Sequence, residues 1–381
     1  MIYIFLIIGF ILLIKGADFF VEGTASIARK FNVPSMIIGL TIVAMGTSAP
    51  EAAVSITSSL AGQNDISVAN VVGSNFFNIL IVLGVSSILA TLPVQKNTIK
   101  KDTPLLIVSC ILLLLFSFNS NISRIEGISF IICFTYFLVI TIKSAKDTDN
   151  EFVTEAATTA EGEAALQMIK DMPIFKTILL STVGIIGIIW GGDMVVDSAT
   201  KIATTLGMSE NLIGLTIVAV GTSLPEFVTS VVATKKGETE IAIGNIIGSN
   251  IFNGLVVVGI CAFISAFKTN KDILKRDMPV NILITLILCI MIADGKLNRI
   301  EGFLLLAGMI FYILNMIHAA LKKRNECSEE QTIPLYKALI FIDLSQFFST
   351  HRSSLTASTP SVDSGINKIN TALMHLQYTI L

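Results

Sequence analysis

Two glutamates stand where a charge is hardest to keep. Glu51 closes the run Ile38-Gly-Leu-Thr-Ile-Val-Ala-Met-Gly-Thr-Ser-Ala-Pro-Glu51, and Glu226 closes Ile213-Gly-Leu-Thr-Ile-Val-Ala-Val-Gly-Thr-Ser-Leu-Pro-Glu226. Each follows more than ten uncharged residues. A carboxylate at bilayer depth is costly unless something pairs with it. Ion coordination or proton carriage is the chemistry this suggests; a structural Glu bonded to backbone is the plain alternative. Pro50 and Pro225 remove a backbone donor and clash with the preceding turn, which frees the carbonyls of Gly46 and Gly221. Thr47, Ser48, Thr222 and Ser223 bring hydroxyls to the same place. A broken helix in hydrocarbon is tolerated only where it lines a cavity or is buried in protein. Carboxylate, hydroxyl and free carbonyl make an all-oxygen cage for hard cations such as Ca2+ and Na+. With no His or Cys near, zinc and copper do not fit.

A second motif supplies another wall. Ser74 and Asn78 are four apart on one helix face, and Ser249 and Asn253 repeat the arrangement. Asn70, Asn75, Asn245 and Asn250 add amides, whose carbonyls coordinate without adding charge. Interhelical hydrogen bonding is the competing role for all of them. Two ionised Glu are balanced by one Ca2+ or two Na+, and a third Na+ leaves the site at +1. Exchange of one Ca2+ for three Na+ therefore moves one net charge, worth about 2.3 kcal/mol per 100 mV. The same pair could take protons in exchange for Ca2+ instead. Asp18 and Asp193 form a further matched pair, lining an access path or anchoring a helix end. Arg124 and Arg299 read as interfacial anchors, as does His318.

These residues need long apolar elements to hold them. Hydrophobic residues make up 53% of the 381-residue chain and charged residues 14%, against about 25% charge in soluble domains. Residues 66–95, 103–123, 241–267 and 302–321 carry no Asp, Glu, Lys or Arg. Such runs are long enough to cross a bilayer as helix. The chain reads as an all-α polytopic membrane protein, with the lipid bilayer as its partner. A net charge of -2 gives no sign of a nucleic-acid partner. No cofactor or obligate protein partner is expected. The opening apolar stretch lacks a basic lead-in and a small-residue cleavage site, so no cleaved signal is expected. Cys110, Cys133, Cys261 and Cys289 lie in apolar runs, form no C-x-x-C pair and read as small buried hydrophobes.

Spans are expected near 2–29, 33–60, 66–92, 104–120 and 125–143, then 174–200, 210–234, 241–266, 279–294 and 300–320. Between the groups lies a charged linker, 144–173. Residues 322–381 form a polar tail of unknown role. The two groups repeat each other: residues 39–78 and 214–253 share 20 identities in 40 positions at an offset of 175. Asp18 pairs with Asp193, Pro104 with Pro279 and Arg124 with Arg299 at the same offset. The chain thus divides into halves 1–143 and 174–321, each of five spans. Five is odd, so the halves are inverted, as in many secondary transporters, with the site where they meet near the midplane. Thirteen Lys and Arg fall on the linker side against nine on the other. The positive-inside rule then puts the linker in the cytoplasm and both termini outside an inner or plasma membrane.

No G-x-x-x-x-G-K-[ST] loop supports direct ATP drive, and no Ser/His/Asp constellation suggests a hydrolase, so the chain does not read as an enzyme. A channel is the alternative within transport, and inverted halves around a buried cation site favour alternating access over it. The paired motifs Gly46-Thr-Ser-x-Pro-Glu51 with Gly73-Ser-Asn-x-x-Asn78, and Gly221-Thr-Ser-x-Pro-Glu226 with Gly248-Ser-Asn-x-x-Asn253, closely resemble the two alpha repeats of the cation/calcium antiporters, in the prokaryotic sodium/calcium exchanger branch. The resemblance covers residues 1 to about 320. It implies ten helices and electrogenic exchange, commonly three Na+ for one Ca2+. It also implies that the first and sixth helices slide against a more fixed core. Glu51 and Glu226 become central ligands. Thr47, Ser48, Thr222 and Ser223 become hydroxyl or backbone ligands of flanking sites. Ser74, Asn78, Ser249 and Asn253 complete the set. Several family members carry an acidic residue at one of the last two Asn positions. Here both are neutral, which leaves two obvious carboxylates.

Overall fold

A computed structural model describes residues 2–118, 121–156, 172–206, 219–268 and 273–331. Contacts divide the chain into two units, Met1–Tyr312 and Ile313–Leu381. The second is described from residue 313 to 331, where it is helical. The first unit is built of helical segments in the expected order. Among the described residues seven helices are each long and apolar enough to cross a membrane: Ile2–Lys30, Ile66–Leu89, Arg124–Lys143, Ile174–Thr205, Thr239–Ile264, Ile273–Asp294 and Arg299–Met316. The pair Ser35–Thr47 and Ala49–Leu60, bent by 46°, makes an eighth. The fourth expected span is the π turn Thr98–Asp102 running into Thr103–Ser117, a helix that opens on Lys100, Lys101 and Asp102. The seventh is Ala219–Thr222 and Leu224–Lys235. Its expected beginning, with Ile213 to Val218, lies outside the described residues.

Two helices outrun their expected ends. Arg124–Ala156 continues into the linker, and Arg299–Gln331 passes Lys322-Lys323-Arg324 into the tail. Neither stretch contains Gly or Pro beyond the apolar part, so nothing stops the helix where it enters water. Residues 157–171 and 332–381 of the linker and tail lie outside the described residues.

Spans three and eight form the centre. In their most apolar windows 78% and 83% of residues are buried, against 22% in span six and 11% in span ten. Both central spans carry a π turn, Phe77–Leu83 and Asn253–Val257, and spans four and nine open on π turns at Thr98–Asp102 and Ile273–Asp277. A π turn inserts a residue into the helical register and is common at functional sites. Here the central pair place Asn78 and Asn253 within them.

The halves are joined by matching clasps. Strand Leu92–Pro93 pairs antiparallel with Lys296–Leu297, and Asn121–Ile122 pairs with Phe267–Lys268. The two clasps map onto each other at the offset of 175. Each ties the loop after span three of one half to the loop before span five of the other. Spans one and six instead pack on each other along glycines. A Cβ on Gly16 would lie 2.6 Å from the Ile188 nitrogen, and one on Gly184 2.5 Å from the Phe20 nitrogen. Only glycine lets the two backbones come this close.

Candidate cation site

Spans two and seven break at equivalent serines. Ser48 has φ -81 and ψ 6, and Ser223 has φ -91 and ψ 5. A new helix starts after each, with the proline in its first two positions and the glutamate in its first turn. Proline has no N–H, so residue 50 cannot donate to Gly46 nor residue 225 to Gly221. The unpaired N–H groups of a helix start carry partial positive charge and favour a carboxylate there.

The pattern Ser-x-x-Glu at each break is that of a capping box, in which the two side chains satisfy the local helix start. Neither serine makes that bond. Each hydroxyl reaches the other half instead. Ser48 Oγ donates to Glu226 Oε1 at 2.8 Å, and Ser223 Oγ donates to Glu51 Oε1 at 2.9 Å. Thr47 Oγ1 donates to Asn245 Oδ1 at 2.9 Å, and Thr222 Oγ1 to Asn70 Oδ1 at 3.5 Å. The asparagines then anchor in their own halves, Asn70 Nδ2 on Ser55 Oγ and Asn245 Nδ2 on Ser230 Oγ, both at 3.0 Å. All three pairs of bonds obey the repeat offset. Both glutamates are fully buried.

Around this network the expected residues converge. Ser74 Oγ lies 3.2 Å from Ser223 Oγ. Ser249 Oγ lies 3.4 Å from the Ala44 carbonyl and 3.5 Å from Asn245 Oδ1. Asn78 Nδ2 donates to Asn250 Oδ1 at 3.0 Å. Asp18 and Asp193 stand outside this network: Asp18 is held by Lys236, and Asp193 is exposed on span six.

Several buried acceptors have no partner among the described residues. They include Oε2 of Glu51, Oε2 of Glu226, and the amide oxygens of Asn78 and Asn253. Leaving such groups unmet costs about 1–3 kcal/mol each, more when charged. A hard cation among them removes that cost by accepting their lone pairs. Among the described residues no cluster of three or more His, Cys, Asp or Glu occurs. The centre is therefore two carboxylates with neutral oxygens around them.

The sequence reading overlooked two features. It took Ser48 and Ser223 as hydroxyl or backbone ligands of flanking sites and did not foresee that their hydroxyls cross to the opposite glutamate. It also passed over Ser55 and Ser230, which position Asn70 and Asn245. The signal for the latter was present, since both are Ser at the repeat offset in otherwise divergent stretches.

Comparisons with known proteins identify the family and the fold. A family described as "Sodium/calcium exchanger protein" matches residues 1–143 and 176–318. CaxA of Alkalimonas amylolytica is 41% identical over 315 residues, covering 81% of this chain and 96% of that protein. Sodium/calcium exchanger MaX1 of Methanosarcina acetivorans is 31% identical over 343 residues, covering 83% and 97%. A solved structure of the sodium–calcium exchanger NCX_Mj superimposes with a TM-score of 0.70 at 31% identity, covering 82% of this chain and 97% of that one. A mostly helical, ten-helix inverted repeat is thus the fold of this chain, as the odd span count required. Matched over both halves and nearly end to end with its relatives, the chain is a member of the sodium/calcium exchanger protein family.

Proposed function

We propose that this integral membrane protein is a secondary antiporter that exchanges Na+ for Ca2+ by alternating access. Its halves, 1–143 and 174–321, meet at Glu51 and Glu226. One observation carries the reading. Two buried carboxylates, each fixed through one oxygen by the opposite half, present a second oxygen with no partner among the described residues. Glu51 and Glu226 are the central ligands. Ser74, Asn78, Ser249 and Asn253, with Thr47, Ser48, Thr222 and Ser223, supply neutral oxygens. The breaks at Gly46–Pro50 and Gly221–Pro225 open backbone carbonyls to the same space. The relatives named as sodium/calcium exchangers support the choice of ions.

A pair of carboxylates balanced by one Ca2+ and exceeded by three Na+ gives electrogenic exchange at 3:1. The linker face is cytoplasmic by its excess of Lys and Arg.

Radioactive Ca2+ uptake into proteoliposomes tests this. Na+-loaded vesicles in low external Na+ accumulate Ca2+, and a clamped potential changes the rate in the direction set by one net charge. A matched set carries only a pH gradient, with and without K+. Uptake driven by the pH gradient alone would replace Na+ with H+ in the mechanism. Uptake without either gradient coupled would indicate a channel.

A further inference from the structure

The cation site obeys the two-fold repeat, but the ends of the spans do not. Span one carries Asp18 and Glu22, and span six carries Asp193 and Asp197 at the same offset of 175. On span one these carboxylates are gripped. Lys236 Nζ lies 2.7 Å from Asp18 Oδ1 and 3.6 Å from Glu22 Oε2, and donates to the Asp18 carbonyl at 3.0 Å. Two residues on, Glu238 pairs with Arg29 near the end of span one. Lys30 Nζ donates to the Met172 carbonyl at 3.0 Å on the same face. The repeat partners of the clamp are Ala61 for Lys236, Gln63 for Glu238 and Thr204 for Arg29. None of these three repeat positions carries a charge.

Burial follows the same division. Thr229, one turn beyond Glu226 towards Lys236, is fully buried, and its hydroxyl has no partner. Its repeat partner Val54 is half-buried. Ala233 is fully buried against a half-buried Ser58. Asp18 is half-buried, while Asp193 is exposed. At these positions the stretch from Glu226 towards Lys236 is the more deeply buried of the two.

We propose that Lys236 is a one-sided latch. Its ammonium ties span one to the turn between spans seven and eight and holds the linker face closed. The claim that this closure sets transport rests on the alternating-access reading above; the latch itself does not. Clasps of paired strands join spans of the two halves at both faces, whereas span one meets span six along glycine. Movement of span one therefore breaks no strand pairing. It must break the grip of Lys236 and Arg29. The pairs are half-exposed, with side-chain exposures of 30% for Lys236 and 34% for Asp18. Half-exposed pairs contribute modestly, so the latch biases a population by about three- to tenfold and does not decide whether the chain folds.

Hydrogen–deuterium exchange on the purified full chain in lipid nanodiscs tests the latch without transport. Lys236→Ala is expected to raise exchange in residues 12–30 and 224–240 about three- to tenfold, with residues 187–205 and 49–65 unchanged. Lys236→Arg keeps the cation and is expected to keep the wild-type pattern. Ala61→Lys places an ammonium at the repeat position of Lys236, and is expected to slow exchange in 187–205. Unchanged exchange in Lys236→Ala, or equal loosening of both halves, overturns the latch. In vesicles, Lys236→Ala is expected to shift the apparent Ca2+ affinities at the two faces in opposite directions by a similar factor. An equal loss at both faces would mark a general structural role and overturn it. If the unaltered protein moves no Ca2+, the transport reading fails, and the exchange pattern still decides the latch.

Discussion

The two halves of this protein agree at the centre and differ at the rim. Around Glu51 and Glu226 the crossed bonds match: Ser223 on one, Ser48 on the other, Thr222 on Asn70 and Thr47 on Asn245. At the ends of spans one and six, Lys236 and Arg29 hold one side and have Ala61 and Thr204 as counterparts on the other. The difference has a physical sense. A site that must be reached from both faces gains from ligands arranged alike towards each. Two facing states need not have equal free energy, and charges at one rim only are a direct way to separate them.

The centre is not wholly symmetric either. Asn78 Nδ2 is bonded to Asn250, whereas both amide atoms of its repeat partner Asn253 lack a partner. Both amide oxygens lack a partner among the described residues, so the difference lies in the anchoring of the amide: Asn78 is held through its Nδ2 and Asn253 is not.

These comparisons can be broken in a definite order. The largest effect is expected from Glu51→Gln or Glu226→Gln, each removing half the charge of the centre. Na+-driven Ca2+ uptake is expected to fall by at least about a hundredfold, in protein that still elutes as a folded species. Full activity in either variant would remove the glutamates from the site. Next come Ser48→Ala and Ser223→Ala. Each deletes a hydrogen bond to a carboxylate, worth about 1.5–3 kcal/mol. Both are expected to lower apparent Ca2+ affinity about tenfold or more, and by equal amounts within about a factor of two. Unequal losses would show that the crossed bonds are not functionally equivalent. Gly16→Val is expected to lower thermal stability by about 1–3 kcal/mol through overpacking against span six, read as a drop in Tm. The smallest and most discriminating pair is Asn78→Ala against Asn253→Ala. The first breaks a buried hydrogen bond and is expected to cost about 0.5–1.5 kcal/mol more in stability than the second. Both are expected to weaken Ca2+ uptake. Equal stabilities would erase the asymmetry between the two amides.

Much of the architecture was legible because its signals are local or repeated. Charge-free runs marked the membrane segments, and identical motifs at one offset marked the halves. Pro50 and Pro225 announced the breaks because a missing N–H acts on the chain next to it. Helix ends were less legible. Arg124–Ala156 and Arg299–Gln331 ran on because apolar patterning records where lipid stops, not where helix stops.

By itself the sequence determined the membrane class, the inverted repeat, and the pair of glutamates with their hydroxyl and amide neighbours. Tertiary structure alone decided which serine serves which glutamate. Ser48 and Glu51 are three residues apart in the pattern of a capping box, and local propensity would join them. Only docking of the halves brings Ser48 to Glu226, about 178 positions away. Tertiary structure also decided that Lys236 meets Asp18, a contact across 218 positions with no motif to announce it. Coulomb attraction between distant residues leaves no periodicity in a chain. It becomes visible only when packing sets the distance.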